Sequence, residues 1–224
     1  VAWYFDKVEG ERNKYVETCA MYADHLFLTD DTWRRRRKYE NVHCLRQGIG
    51  SEDYRVGKKR EEYECDIAFV GSIYGEREKW ARQLKTVYGD KIKFFNNVFN
   101  EDLYDLCASA KIILAPKYPS NDFYWSSRIY MILGSGGFLI HPDLYGLKDE
   151  FVEGKHFAGY RNNKEMIMTI EYFLQNEKER KQIQKQGQEH CLKVATYKKR
   201  VEEMLNKVYG DQTPKRNKPK IKKK

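Results

Sequence analysis

The sequence predicts an α/β protein built on parallel strands, and three observations carry that reading. Short continuous apolar runs, among them Ile67-Ala68-Phe69-Val70, Ile112-Ile113-Leu114-Ala115 and Phe138-Leu139-Ile140, alternate with longer polar stretches of helical period. Strands separated by helical stretches of roughly 10–15 residues form βαβ units and a parallel sheet. The carboxyl ends of the runs carry turn and polar residues: Gly71-Ser72, Asn96-Asn97, Pro116-Lys117-Tyr118 and His141-Pro142. Finally, the stretch from Trp125 to His141 reads as a short helix, a glycine turn and a buried strand.

In chain order, residues 1–6 read as a strand ending in Asp6, 11–23 as a helix and 25–29 as a second strand. Asp30 or Asp31 can cap a helix running through 34–39, and 41–45 is a third strand. Gln47-Gly48-Ile49-Gly50 then turns into a polar linker, 51–64. A fresh alternation follows: strand 66–70, helix 75–88, strand 91–95, helix 101–109 and strand 111–115, closed by Pro116. After the loop 116–125, Ser126 or Ser127 is expected to cap the next helix, because a hydroxyl there accepts from an otherwise unpaired N–H. Ile129, Ile132 and Leu133 share one apolar face, and Gly134, Gly136 and Gly137 end the helix. Strand 138–141, a short helix at 145–151 and strand 156–160 lead to helices at 163–175, 177–190 and 195–209. The division expected is a remnant of an N-terminal unit (1–50), a linker (51–64), a Rossmann-like unit (65–192), a helix packing across both (193–210) and a basic tail (211–224).

Composition narrows the function classes. No apolar run approaches the roughly 20 residues of a membrane span. Val1-Ala2-Trp3-Tyr4-Phe5-Asp6 has neither the basic start nor the apolar core of a signal peptide. The five cysteines, Cys19, Cys44, Cys65, Cys107 and Cys191, are scattered, without C-x-x-C spacing, so no zinc site or disulfide framework is expected. Reduced thiols in a cytoplasmic protein are the simplest reading. The net charge of +9 is uneven: residues 211–224 hold seven bases against Asp211, so the tail carries +6 and the rest +3. Such a tail can make a weak contact with a polyanion, nucleic acid or acidic lipid, although a merely solvated terminus is commoner. The run Arg34-Arg35-Arg36-Arg37-Lys38 is read as a solvated helix face rather than a phosphate patch.

Chemistry is expected on one rim. In parallel α/β sheets ligands bind outside the carboxyl ends of the strands. There, Arg128 in the first turn of its helix adds a forked cation to free backbone N–H groups, an arrangement suited to phosphate. Lys117 stands on the same rim. The competing readings are a surface lysine for Lys117, a strand-end hydrogen bond for His141 and a helix cap for Asp6.

The ordered set of motifs resembles a known family. Phe69-Val70-Gly71-Ser72, then Trp125-Ser126-Ser127-Arg128-Ile129-Tyr130 through Gly134-Ser135-Gly136-Gly137-Phe138, then Gly146-Leu147, Glu150-Phe151, Tyr160, Asn176–Arg180, Gly187 and Thr196-Tyr197-Lys198-Lys199-Arg200 are similar to the C-terminal, donor-binding half of GT-B glycosyltransferases. The nearest branch is the spore-maturation-protein (CgeB-like) type of retaining group 1 enzyme. By this resemblance most of the N-terminal unit is expected to lie before residue 1. The resemblance implies transfer of a sugar from a nucleotide-sugar, UDP- or GDP-linked, to an unknown glycan, protein or small-molecule acceptor, with retained configuration and no required cofactor or metal. It implies Arg128 and Lys117 as the cations that stabilise the leaving diphosphate. Gly71, Ser72, Asn96, Tyr118, Asn121, Trp125, Ser126, Ser127, Tyr130, Gly136 and His141 would contact the donor. One departure stands out: Met131 occupies the place where the wider superfamily has a Glu for the ribose hydroxyls, and a thioether is a poor acceptor. Asp122 is the only acid near the earlier Glu of that pattern. A non-catalytic binding module holding a polyanion through the tail, or an inactive paralogue, are the alternatives.

Overall fold

The computed structural model describes residues 1–36, 39–50, 56–115 and 122–210, with the backbone alone at Glu76. Two parallel sheets organise them. The first has strand order β1-β2-β3: Ala2–Tyr4, Leu26–Leu28 and Val42–Cys44. Helices α1 (Arg12–Tyr22) and α2 (Asp31–Arg36) make its crossovers. Its central strand, Leu26-Phe27-Leu28, is buried throughout, as a strand covered on both faces must be. Asp30 receives the Thr32 N–H at 2.9 Å and so holds the start of α2. Buried Asp31 is occupied by Arg34 and Arg35, at 2.5 and 2.6 Å, whose side chains stay partly exposed on the solvated face expected for the basic run.

The second sheet has five strands: β4 (Cys65–Val70), β5 (Ile92–Phe95), β6 (Ala110–Leu114), β7 (Leu139–Pro142) and β8 (Ala158–Tyr160), in the order β5-β4-β6-β7-β8. Around it lie α3 (Glu76–Tyr88), α4 (Asn100–Ser109), α5 (Arg128–Gly134), α6 (Asn163–Gln175), α7 (Glu177–Val194) and α8 (Tyr197–Tyr209). Alternation along the strands separates two cores. Ala68, Val70, Ile113 and Leu139 face Leu106 of α4 and Ile129, Tyr130 and Leu133 of α5. Ile67, Phe69, Ile112, Leu114 and Ile140 face Leu84 of α3 and Met166, Ile170 and Phe173 of α6. Each such side chain, fully removed from water, contributes about 1.5–3 kcal/mol.

Helix ends follow local chemistry, with one correction. Asn162 caps α6 by accepting the Glu165 N–H at 3.0 Å, while Glu165 reaches back to the Arg161 N–H at 2.8 Å. Thr196 caps α8 through the Lys199 N–H. The serine cap expected for α5 is absent. Ser127 already has helical dihedrals (φ −53°, ψ −20°), and its carbonyl accepts the Met131 N–H at 3.0 Å. It therefore lacks the extended conformation a side-chain cap needs. Of the three glycines after this helix only Gly136 has a left-handed φ, +76°. Gly134 instead makes room for Ile49, whose Cδ1 lies 2.5 Å from where a Cβ would stand.

The two sheets are joined at residues 46–49. Ile49 pairs with the turn before α8: its N–H donates to Ala195 and its carbonyl accepts from Tyr197, both at 2.9 Å. Trp3 and Phe5 pack their rings against Tyr197. All five cysteines are unpaired. No described helix is long and apolar enough to cross a membrane.

Candidate active site

In the second sheet the chain steps outward from β4 to β5, then crosses back to lay β6 on the other side of β4. The carboxyl ends of β4 and β6 therefore diverge, leaving a crevice at the switch point. A cleft of about 450 Å³ opens there. Its floor and one wall come from Ser72 after β4, Ala115 after β6, His141 of β7 and the start of α5. The facing wall comes from the first sheet, with Asp6, Lys7, Glu9 and Arg12 after β1.

Arg128 is the centre of the second-sheet wall. The guanidinium lies against Gly71, with Nη1 2.8 Å from where a Cβ would be. Gly71 has φ +140°, a conformation that side chains rarely adopt. This close approach is why a glycine ends β4. Among the described residues no carboxylate and no hydrogen-bond acceptor pairs with Arg128. Burial pushes its pKa down, and the neighbouring Arg77 pushes in the same direction. A guanidinium stays charged at neutral pH, so the shift marks a cation held at a cost that a bound anion would offset.

Arg77 itself projects from the first turn of α3. Its Nη1 donates to the Ser72 carbonyl at 3.2 Å, and its guanidinium lies over the Tyr74 ring. Among the described residues it too has no acidic partner. The opposite wall is different. Asp6 accepts from Arg12 at 2.7 Å and from the Tyr124 hydroxyl at 3.3 Å, while Lys7 meets Glu9 at 2.6 Å. Among the described residues, one wall thus pairs its charges and the other carries two guanidiniums without counter-charge.

The structure sorts the residues expected on the rim. Ser72, Trp125, Ser126, Arg128 and His141 line the cleft. Gly71 backs Arg128, and exposed Asn96 receives the Ser72 hydroxyl at 3.3 Å. The Nδ1–H of His141 donates to the Pro142 carbonyl at 2.8 Å. Two expected contacts are elsewhere. Tyr130 is fully buried behind the wall; its hydroxyl accepts from Trp125 Nε1 at 2.8 Å and donates to Glu150 at 2.5 Å. Gly136 lies at the far end of α5, where its carbonyl accepts from Gln184 of α7. A helix of two turns puts its first and last residues on opposite sides of the sheet edge, and an expectation drawn from a motif alone overlooks this. Ser127 sits beside the cleft without lining it. Met131 is half-buried against the core and also off the cleft. Asp6 does not cap α1, which starts after Glu11. Lys117, Tyr118 and Asn121 lie outside the described residues.

Arg77, Tyr74 and Tyr124 are cleft residues that the sequence reading passed over. Arg77 had the same signal as Arg128, a basic residue in the first turn of a helix that follows a strand. Two further depressions among the described residues, at 175–182 and beside the amino ends of β4 and β6, lie away from the carboxyl ends of the strands.

Residues 55–206 match the model of the glycosyl transferase-like family. No curated protein matches the sequence. The structure is similar to that of HepE from Anabaena, solved with UDP-glucose: TM-score 0.69, 11% identity, with 92% of this chain and 71% of that one covered. A glycosyltransferase from Rickettsia africae follows at TM-score 0.64 and 10% identity, covering 93% and 70%. Sucrose-phosphate synthase from Thermosynechococcus elongatus has TM-score 0.64 and 11% identity, covering 90% and 61%. At such identities the likeness concerns the fold, which is the Rossmann-like α/β arrangement of GT-B glycosyltransferases.

Proposed function

The chain belongs to the glycosyl transferase-like family, and from that premise we propose that it transfers a sugar from a nucleoside-diphosphate-sugar to an acceptor with retention of anomeric configuration. The observation that carries the proposal is Arg128: a half-buried cation without an acidic partner among the described residues, set at the switch point of a parallel sheet. As the bond between the sugar and the diphosphate breaks, negative charge grows on the leaving oxygen. Guanidiniums already in place stabilise that charge without reorganising. Hydrogen bonds to a charged group contribute about 1.5–3 kcal/mol each.

In this reading Arg128 is the principal catalytic cation, and Arg77 and Lys117 assist it. Ser72 and Asn96, at the ends of β4 and β5, suit the nucleotide, and Tyr118 and Asn121 are proposed to contact the donor as well. Trp125, Ser126 and His141 suit the sugar. The ribose would be held by groups other than Met131, which is turned into the core. The acceptor would enter along the Asp6–Arg12 wall. HepE was captured with UDP-glucose, which makes a UDP-sugar the first donor to try. The alternative, a polyanion-binding module, has support from the composition of the tail alone.

Calorimetric titration with UDP-, GDP- and ADP-sugars tests the proposal. Binding of at least one, weakened by Arg128→Ala, is expected. Silence toward all three would remove the enzyme reading.

A further inference from the structure

Behind the cleft a set of buried polar groups closes on itself. It begins at Arg46, whose guanidinium stacks over the Trp125 ring at 4.0 Å and donates to the carbonyls of Thr29 and Phe123, both at 2.6 Å. Trp125 Nε1 donates to the Tyr130 hydroxyl at 2.8 Å, and that hydroxyl donates to Glu150 at 2.5 Å. The other oxygen of Glu150 takes a hydrogen bond from Arg200 of α8. Arg200 returns to the start by donating Nε to the Gln47 carbonyl at 3.0 Å. Trp125, Tyr130, Arg46 and Arg200 are all less than a tenth exposed. The circuit thus begins and ends on adjacent residues of the strap, 46–49, that joins the two sheets.

Only one member of this circuit, Trp125, is also a wall of the cleft. We propose that Tyr130 and Glu150 are positioning residues: they fix the Trp125 indole to the strap and to α8, so that the cleft wall is set before any ligand arrives. The chemistry suits the task. Burial, and then the Glu150 carboxylate, push the Tyr130 pKa far up, so its hydroxyl stays a neutral donor that can accept and donate at once. Glu150 uses both oxygens, one on Tyr130 of α5 and the other on Arg200 of α8, which in turn holds the Gln47 carbonyl. The strap has no slack to absorb a change. A Cβ on Gly48 would stand 2.7 Å from the Ala195 carbonyl, and Ile49 fills the space left by Gly134. Buried polar networks of this kind rigidify what they join when every member is satisfied.

The proposal rests on the donor reading only for its second readout. The first needs no ligand: hydrogen exchange of the Trp125 indole N–H, followed by NMR and assigned from the signal that Trp125→Phe removes. It is expected to be protected in the full-length protein and to exchange at least about tenfold faster in Tyr130→Phe, with a smaller rise in Glu150→Gln. The second is a double-mutant cycle on UDP affinity. Tyr130→Phe is expected to weaken UDP roughly fivefold alone and not at all in a Trp125→Phe background, because its effect passes through that ring. Unchanged indole exchange in both Tyr130→Phe and Glu150→Gln, or losses in affinity that simply multiply, would overturn the proposal. If UDP does not bind the wild type while indole exchange responds as stated, the donor reading fails and the positioning role stands.

Discussion

Gly71 shows how much one hydrogen in place of a methyl group decides. Its φ of +140° and the 2.8 Å from a would-be Cβ to Arg128 Nη1 leave no room for alanine. Gly71→Ala is expected to push the guanidinium out of the crevice and to cost about 1–3 kcal/mol in backbone strain. Thermal melting checks the strain, and calorimetry checks a loss of diphosphate affinity approaching that of Arg128→Ala. Arg77→Ala removes the second cation that has no acidic partner among the described residues, with its exposed hydrogen bond to the Ser72 carbonyl. It is expected to weaken a nucleoside diphosphate about tenfold, by the same titration, with the melting temperature unchanged. At this scale the sequence was half legible. A glycine after a strand and an arginine opening a helix are local signals, and from them Gly71 and Arg128 were expected on the rim where they stand. Tyr130 was misplaced because the direction of a side chain on a two-turn helix depends on what packs behind it. Here that is Glu150, twenty residues away along the chain.

Helix α7 makes the same point in the opposite sense. Its Gly187 is buried, and an added Cβ would stand 2.2 Å from the His156 carbonyl. In a free helix Gly→Ala stabilises by about 1 kcal/mol. Here Gly187→Ala is expected to destabilise by roughly 2–4 kcal/mol, because α7 must move away from the His156 backbone and from Leu133 of α5. A rise in the denaturation midpoint would contradict the packing described. The elements themselves were readable almost throughout: the apolar runs at 66–70, 111–115 and 138–141 became β4, β6 and β7 within a residue or so. Periodicity fixes which residues face inward, and inward-facing runs are what a buried parallel sheet needs. The serine cap was not readable, since both serines before α5 suit a cap by type and only the backbone angles decide.

The two sheets meet along a shared cleft, and the molecule as a whole couples its stability to pH. His156 and His190 stack at 4.0 Å between ring centroids beneath Glu150, and Val152 donates its N–H to His156 Nδ1. Burial first, and then His190, hold the His156 pKa down to about 4. An unfolded chain would protonate this ring near 6.5. Between those values the unfolded state binds the proton that the fold refuses. Stability is therefore expected to fall, by on the order of 2 kcal/mol, as pH drops from 6.5 to about 4. Below that point this group contributes no further change. Urea melts across the range should show the slope, and His156→Phe should make it shallower. The division into two sheets was visible in the restart of strand and helix alternation at residue 66, and the last helix was expected to pack across both, but the backbone pairing that makes the joint was not visible. The pairing of Ile49 with 195–197 links segments far apart in sequence by backbone hydrogen bonds, which leave no trace in residue type.

The central claim is that a leaving diphosphate is met by the unpaired cation of α5. Titration of the wild type and Arg128→Ala with UDP and with uridine tests it most directly. The account expects UDP to bind the variant about 100-fold more weakly, as loss of a charge-assisted fork implies, with uridine binding both alike. Equal UDP affinity in the two proteins would contradict it.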